Sequence, residues 1–237
     1  MKNILYKANE RPHFDIGWIQ YYSSFDSESE APLKDPFGKL ISIYDCIIPS
    51  GKEGSGMHPH EDMEVISVVL SGVLSHQDSK GNFGKIPAGG LQVMSAGSGI
   101  MHAEFNDLAE QTCEILQINI LPKQNNLTPT YQNKVFSKPD ITTNHITTMV
   151  SPDGSNGSLK INQDAYISYG LLEAGTSANY QVKLAANGTY IFLIDGNIEV
   201  AGENLSKRDA IGIKDVQEIN IKSKEKAKII ILEVPID

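Results

Sequence analysis

Cysteine is scarce: the 237 residues hold two, Cys46 and Cys113, each inside an apolar, strand-like run (DCIIP and TCEILQINI). Two cysteines without a pairing pattern exclude a disulfide-stapled scaffold, and the expectation is a pair of buried, reduced thiols. Long hydrophobic runs are missing too. No stretch approaches the ~20 uninterrupted apolar residues of a membrane helix, and MKNILYKANERPHFD has no signal-type apolar core. A cytoplasmic protein off the membrane is expected. Basic charge is also in deficit, with 20 Lys and Arg against 29 Asp and Glu and a formal net charge of −9. Such a surface repels phosphate backbones, so direct nucleic-acid binding is not expected. Finally, no long segment keeps a 3.6-residue apolar repeat, which argues against a helical protein.

What remains is a succession of short runs rich in Ile, Val, Tyr and Phe, broken by Gly, Pro, Asn and Asp. They include LISIYDCIIP (40–49), EVISVVLSG (64–72), CEILQINILP (113–122), TYIFLIDGNIEV (189–200) and KIIILEVP (228–235). This spacing predicts an all-β sandwich or barrel. A loose internal repeat points to two such units in tandem. VISVVLSGVLSHQDSKGNFGKIPAGG and YIFLIDGNIEVAGENLSKRDAIGI both read as strand, glycine turn, strand, then a tight turn into another strand. The polar segment 125–145, with Pro129 and Pro139, is predicted as the boundary, giving units of 1–135 and 136–237. Residues 24–39, SFDSESEAPLKDPFGK, read as an exposed loop.

The chemistry concentrates in two short patterns. His58 and His60 flank Pro59 in GMHPHEDMEVISVVLSG. Residues at i and i+2 of a strand share a face, so the two imidazoles converge. Carried forward by parity, the same face would run through Ile66, Val68 and Leu70, toward an apolar interior. Buried, unpaired imidazoles are costly there, and a metal ion would satisfy both. His102 and Glu104 in SAGSGIMHAEFND repeat the spacing. Three imidazoles and a carboxylate form an N/O set suited to iron, manganese, nickel, copper or cobalt, with zinc admissible. Glu64, four residues after His60 and on its face by parity, competes with Glu104 for the carboxylate role, and spacing leaves that choice open. His13, His76 and His145 have no comparable context. His76 is placed in a surface hairpin, with a solvated or hydrogen-bonded structural role.

The runs MHPHEDMEVISVVLSGVLSHQDSKGN, IPAGGLQVMSAGSGIMHAEFN, ILQINILP and TPTYQ resemble the pirin family, and RPHFDIGWIQYYSSF is similar to its amino-terminal segment. The resemblance covers nearly the whole chain and is strongest over 56–122. It implies a bicupin, two tandem antiparallel β-barrels of the double-stranded β-helix or jelly-roll type, with one metal in the first. It also implies the ligand set His58, His60, His102 and Glu104, with iron foremost and Glu64 behind the ligands. The second half has no histidine after His145, in keeping with a barrel without metal. One departure is Glu61, where family members commonly carry a basic residue or Gly-Phe. The closest resemblance is to bacterial pirin-like proteins that oxidise the flavonol quercetin. The implied activity is therefore dioxygenation of a small aromatic substrate with O2 to a depside and carbon monoxide, with Glu104 as catalytic base. Met94 and Met101 are candidates to line the aromatic pocket, and core packing is the favoured role for both. The alternative is a redox-sensitive, metal-binding regulatory protein that acts through a protein partner without turnover. A monomer is expected.

Overall fold

The computed structural model describes residues 2–26, 34–51, 54–137 and 140–237. Strands account for nearly all the regular structure, and the two helical segments among the described residues are single 3-10 turns. None is long and apolar enough to cross a membrane.

The chain divides into two compact units. The N-terminal unit comprises 12–36 and 40–136; the C-terminal unit comprises 1–11, 37–39 and 137–237. The first strand, Lys2–Tyr6, pairs along Ala210–Lys214 and so belongs to the C-terminal unit.

Each unit contains one seven-stranded and one four-stranded sheet. In the N-terminal unit the larger sheet runs Thr130–Val135, Gly90–Ser95, Glu64–Ser71, Cys113–Ile120, Leu40–Ile48, Gln20–Asp26, His13–Asp15. The smaller runs His58–His60, Ile100–Phe105, Val73–Asp78, Phe83–Pro87. The C-terminal unit repeats the scheme. Its larger sheet is Lys2–Tyr6, Ala210–Lys214, Asn187–Asp195, Ala227–Pro235, Tyr166–Leu172, Ile146–Ser151, Leu159–Lys160, and its smaller one Ser177–Gln181, Glu218–Ser223, Asn197–Val200, Glu203–Ser206. The all-β expectation holds. The sheets are open, however, not closed barrels, and Ile146–Ser151 with Leu159–Lys160 is a parallel pair in an otherwise antiparallel scheme.

The internal repeat has a physical anchor in its two glycines. Gly72 and Gly196 each turn the chain from the larger to the smaller sheet at positive φ, 73° and 96°. At Gly72 a Cβ would meet the Thr112 carbonyl and Cys113 Cα; at Gly196 it would meet the Lys226 carbonyl and Ala227 Cα. Both the left-handed backbone and the close approach of a neighbouring strand demand glycine at the same point of each unit.

Three local expectations are corrected. In the segment 24–39, Ser24 and Phe25 continue a strand and are buried, as is Phe37; residues 27–33 lie outside those described. In the segment 125–145, Thr130–Val135 is a strand on Gly90–Ser95, and Pro139 lies outside the described residues. An edge strand buries few side chains, so TYQNKV carries no apolar alternation to betray it. Third, Asp62 at φ 47° breaks the chain between His60 and Glu64. The two residues therefore lie on strands of different sheets, and parity cannot be carried across.

Cys46 and Cys113 are unpaired and buried in one apolar cluster with Ile48, Val69, Leu74, Ile86 and Ile115. Burial pushes both thiols up, Cys113 to about 12.

Candidate metal centre

His58–His60 is a three-residue strand paired antiparallel to Ile100–Phe105, with His102 opposite His58 and Ile100 opposite His60. Directly opposed residues share a face, so the two short motifs are brought together by register. The ring centroids stand 4.4 Å apart for His58–His102, 4.9 Å for His60–His102 and 5.0 Å for His58–His60. One nitrogen from each ring lies within 4.8 Å of the other two. Glu104 is not a member of that group of ligand atoms.

The nitrogens are poised and unsatisfied. His58 Nδ1 lies 3.1 Å from the Gly56 carbonyl oxygen, which can only accept. That bond puts the proton on Nδ1 and leaves the Nε2 lone pair free. His60 Nε2 and both nitrogens of His102 are buried with no hydrogen-bond partner among the described residues. Burial, reinforced by His58, lowers His60 to about 4. Burial, then His58, His60 and His76, lowers His102 to about 2. His60 and His102 are thus held as neutral imidazoles, the form that donates to a metal.

Glu104 shares the inward face with His102 and is fully buried. Its carboxylate accepts from Ser67 Oγ at 2.7 Å and Gln92 Nε2 at 2.6 Å on Oε1, and from Gln117 Nε2 at 2.9 Å on Oε2. Burial raises it to about 7 against the pull of those three bonds. A carboxylate offers about four lone-pair sites, so one on Oε2 remains for a further partner. The backbone is clamped as well: Ser55 N–H donates to the Glu104 carbonyl, and Glu104 N–H donates to Ser55 Oγ, each at 3.0 Å.

The three donors come from the facing sheet, and their placement was not visible in the sequence. Tyr44, Gln117, Ser67, Gln92 and Asn133 are successive cross-strand partners, forming one polar row straight across five strands. The signal available was a buried amide or hydroxyl within each apolar strand: Ser67 in EVISVVLS, Gln92 in GLQVMS, Gln117 in CEILQINI. Apolar strands of this kind bury polar side chains only where partners exist.

Other expectations shift. Glu64 is buried and accepts from Ser95 Oγ at 2.7 Å. It lies opposite Ser95, three positions along an unbroken register from the Ser67–Gln92 pair. Alternation therefore turns it to the opposite face of the sheet from Ser67, away from Glu104. His76 does lie in a hairpin, opposite Gly84, but its side chain is buried, not at the surface. It sits opposite Glu104, with its ring 5.4 Å from His102 and stacked at 4.2 Å and 9° on Tyr131. Its Nε2 is 3.5 Å from Asp78 Oδ2, and burial lowers its pKa. Met94 is a core residue with Val65, Ala96 and Ile100. Met101 is exposed on the face opposite His102, so it does not line the histidine cluster. Glu61 is exposed beside His60.

Residues 7–120 match the family described as Pirin, and residues 148–234 match the Quercetinase C-terminal cupin domain. The chain belongs to the pirin family. It is 35% identical over 235 residues to the quercetin 2,3-dioxygenase of Escherichia coli K12, covering 98% of each chain. It is 39% identical over 222 residues to a pirin-like protein of Caulobacter vibrioides, covering 92% of this chain and 94% of that one. In structure this pirin-family chain is similar to the bacterial pirin YhhW of Escherichia coli solved in complex with nickel(II), with a TM-score of 0.90, 33% identity and 99% of each chain covered.

Proposed function

We propose that this pirin-family chain is a metal-dependent dioxygenase that opens the flavonol ring of quercetin, or of a related small aromatic substrate, with O2. In this reading each unit is a jelly-roll cupin, the N-terminal one carrying one metal and the C-terminal one none, and the protein works as a cytoplasmic monomer. His58, His60 and His102 hold one divalent transition metal, iron first among the candidates, with Glu104 as fourth ligand. The observation that carries the reading is the set of orphaned, buried, neutral imidazole nitrogens converging on one point. Nothing else among the described residues satisfies those atoms, and leaving them bare is costly. The quercetin 2,3-dioxygenase relative and the nickel complex of a structural neighbour support it.

When bound, such a metal lowers the pKa of an attached hydroxyl and supplies the redox chemistry toward O2. The chain's own residues do the rest. Glu104, a buried carboxylate on the inward face beside His102, takes the proton of the substrate's 3-hydroxyl and returns it to the ring-opened product. Ser67, Gln92 and Gln117 keep its carboxylate in one orientation throughout. The half-buried rings of His58 and His60 form the side of the cluster open to solvent, while His102 is closed off behind them. Both atoms of O2 enter the depside and one ring carbon leaves as carbon monoxide, so no external reductant is consumed.

The test is elemental analysis of the purified protein, followed by oxygen uptake and carbon monoxide release with quercetin after loading each candidate metal. Near-stoichiometric metal and metal-dependent uptake are expected. Stoichiometric metal without uptake for any ion would overturn the catalytic reading and leave a metal-binding regulatory role.

A further inference from the structure

Behind the proposed ligand Glu104 runs a hydrogen-bond chain that reaches the sheet edge. Gln92 uses every polar atom it has. Its Nε2 donates to Glu104 Oε1 at 2.6 Å and to Ser67 Oγ at 3.3 Å, and its Oε1 accepts from Tyr131 Oη at 3.0 Å. An amide has two orientations related by a flip, and only its partners decide between them. Ser67 and Glu104 do not fix the choice alone, because a hydroxyl rotates and a carboxyl can protonate. Tyr131 does. Asn133 Nδ2 donates to the phenol oxygen at 3.3 Å, so the phenol's own proton is left for Gln92 Oε1. Burial pushes the phenol up to about 12, so it keeps that proton at ordinary pH.

Tyr131 is itself held in place. His76 stacks flat on its ring at 4.2 Å, and Gly84 opposite His76 leaves the room the phenol occupies. A Cβ on Gly84 would collide with Tyr131 Oη. Gly84 has no positive φ to explain it, so the space is its evident purpose.

We propose that Tyr131 is a positioning residue that locks the Gln92 amide, and through it the Glu104 carboxylate, in a single orientation toward the histidine cluster. His76 and Gly84 serve that lock. Its bearing on catalysis rests on the function proposed above; the lock itself is a property of the metal-free chain.

The experiment therefore begins on apoprotein. The side-chain amide of Gln92, assigned by its loss in Gln92→Leu, should show a displaced and slowly exchanging proton in a 15N–1H correlation spectrum. Tyr131→Phe should return that signal to the ordinary glutamine position. Gly84→Ala should do the same while keeping the phenol, which guards against a mere folding defect. Asn133→Ala, which removes the donor that commits the phenol's proton to Gln92, should weaken the displacement without abolishing it. An unchanged Gln92 signal in both Tyr131→Phe and Gly84→Ala would overturn the proposal. The second readout is the visible spectrum and affinity of cobalt(II)-loaded protein. Tyr131→Phe should weaken affinity about 10-fold, the lower end for losses behind a ligand, and shift the ligand-field bands. If Tyr131→Phe moves the Gln92 signal while Glu104→Gln leaves the cobalt spectrum untouched, the lock stands and the ligand role of Glu104 falls.

Discussion

The two units share a strand plan and differ in what fills it. Pairing registers align them residue by residue. In the small sheets, counted from the matching glycines 72 and 196, His102 opposite His58 corresponds to Ile219 opposite Tyr180. Glu104 opposite His76 corresponds to Ile221 opposite Val200. In the large sheets, the row Gln92–Ser67–Gln117 corresponds to Ile211–Ile191–Ile231. Every one of those three polar positions is an isoleucine in the C-terminal unit, inside one continuous apolar cluster. One backbone scheme thus carries either an ordinary core or a polar cradle, and the cradle has a physical signature: donors, acceptor and imidazoles change together. A lone histidine placed in the C-terminal core would be an orphan.

The largest expected contrast comes from corresponding truncations. His102→Ala removes nitrogens that have no partner without metal, so apoprotein stability should hardly change while bound metal falls to background. Ile219→Ala at the matching position deletes buried methyl and methylene groups. It should cost roughly 2–5 kcal/mol and leave metal content intact. Metal analysis with denaturant unfolding reads both. A His102→Ala protein that keeps its metal would remove the site from these histidines.

The next contrast is between two buried glutamates. Glu233 accepts from the backbone N–H groups of Lys183 and Leu184, from Tyr180 Oη and from Asn187 Nδ2. It fastens the turn before Asn187–Asp195 with backbone donors that have no substitute. Glu104 takes only side-chain donors, which can re-pair with one another. Glu233→Ala should therefore destabilise by roughly 3–5 kcal/mol, several stranded donors at about 1–3 each, with metal unaffected. Glu104→Ala should cost about 1–2 kcal/mol and weaken metal strongly. Equal stability losses would show that Glu104 is as structural as Glu233.

A smaller effect is expected from Gln117→Leu, which makes the row resemble its C-terminal counterpart at one position. It strips the only donor on Glu104 Oε2 among those identified. Metal affinity should fall roughly 10–100-fold, as for other losses directly behind a ligand, and chelator competition measures it.

How far the sequence discloses this site depends on which dimension carries the information. The i, i+2 spacing of His58 with His60, and of His102 with Glu104, is written along single strands, so convergence within each pair was legible. The glycine turns at 72 and 196 and the apolar runs likewise disclosed the all-β repeat. The polar row was not legible, because Gln92, Ser67 and Gln117 meet only through register across strands. His76 was misplaced for the same reason: hairpin context suggests exposure, while the facing sheet buries it. Thr130–Val135 escaped because an edge strand has too few buried positions to alternate.

Glu64 marks the sharpest limit, and the smallest predicted effect. Strand parity carried from His60 puts it beside the histidines, but Asp62 at φ 47° interrupts the strand and resets the faces. Its carboxylate then meets Ser95 Oγ on the side of the sheet away from Ser67, Gln92 and Glu104. Glu64→Gln keeps the shape and an acceptor for Ser95, so the local bond survives. Metal affinity should stay within about 2-fold of the parent, well short of the roughly 10–100-fold expected of a residue directly behind a ligand. A loss of that larger size, read by the same chelator competition as for Gln117→Leu, would mean that Glu64 reaches the cluster after all. The division of the large sheet into a cradle face and a plain face would then be wrong.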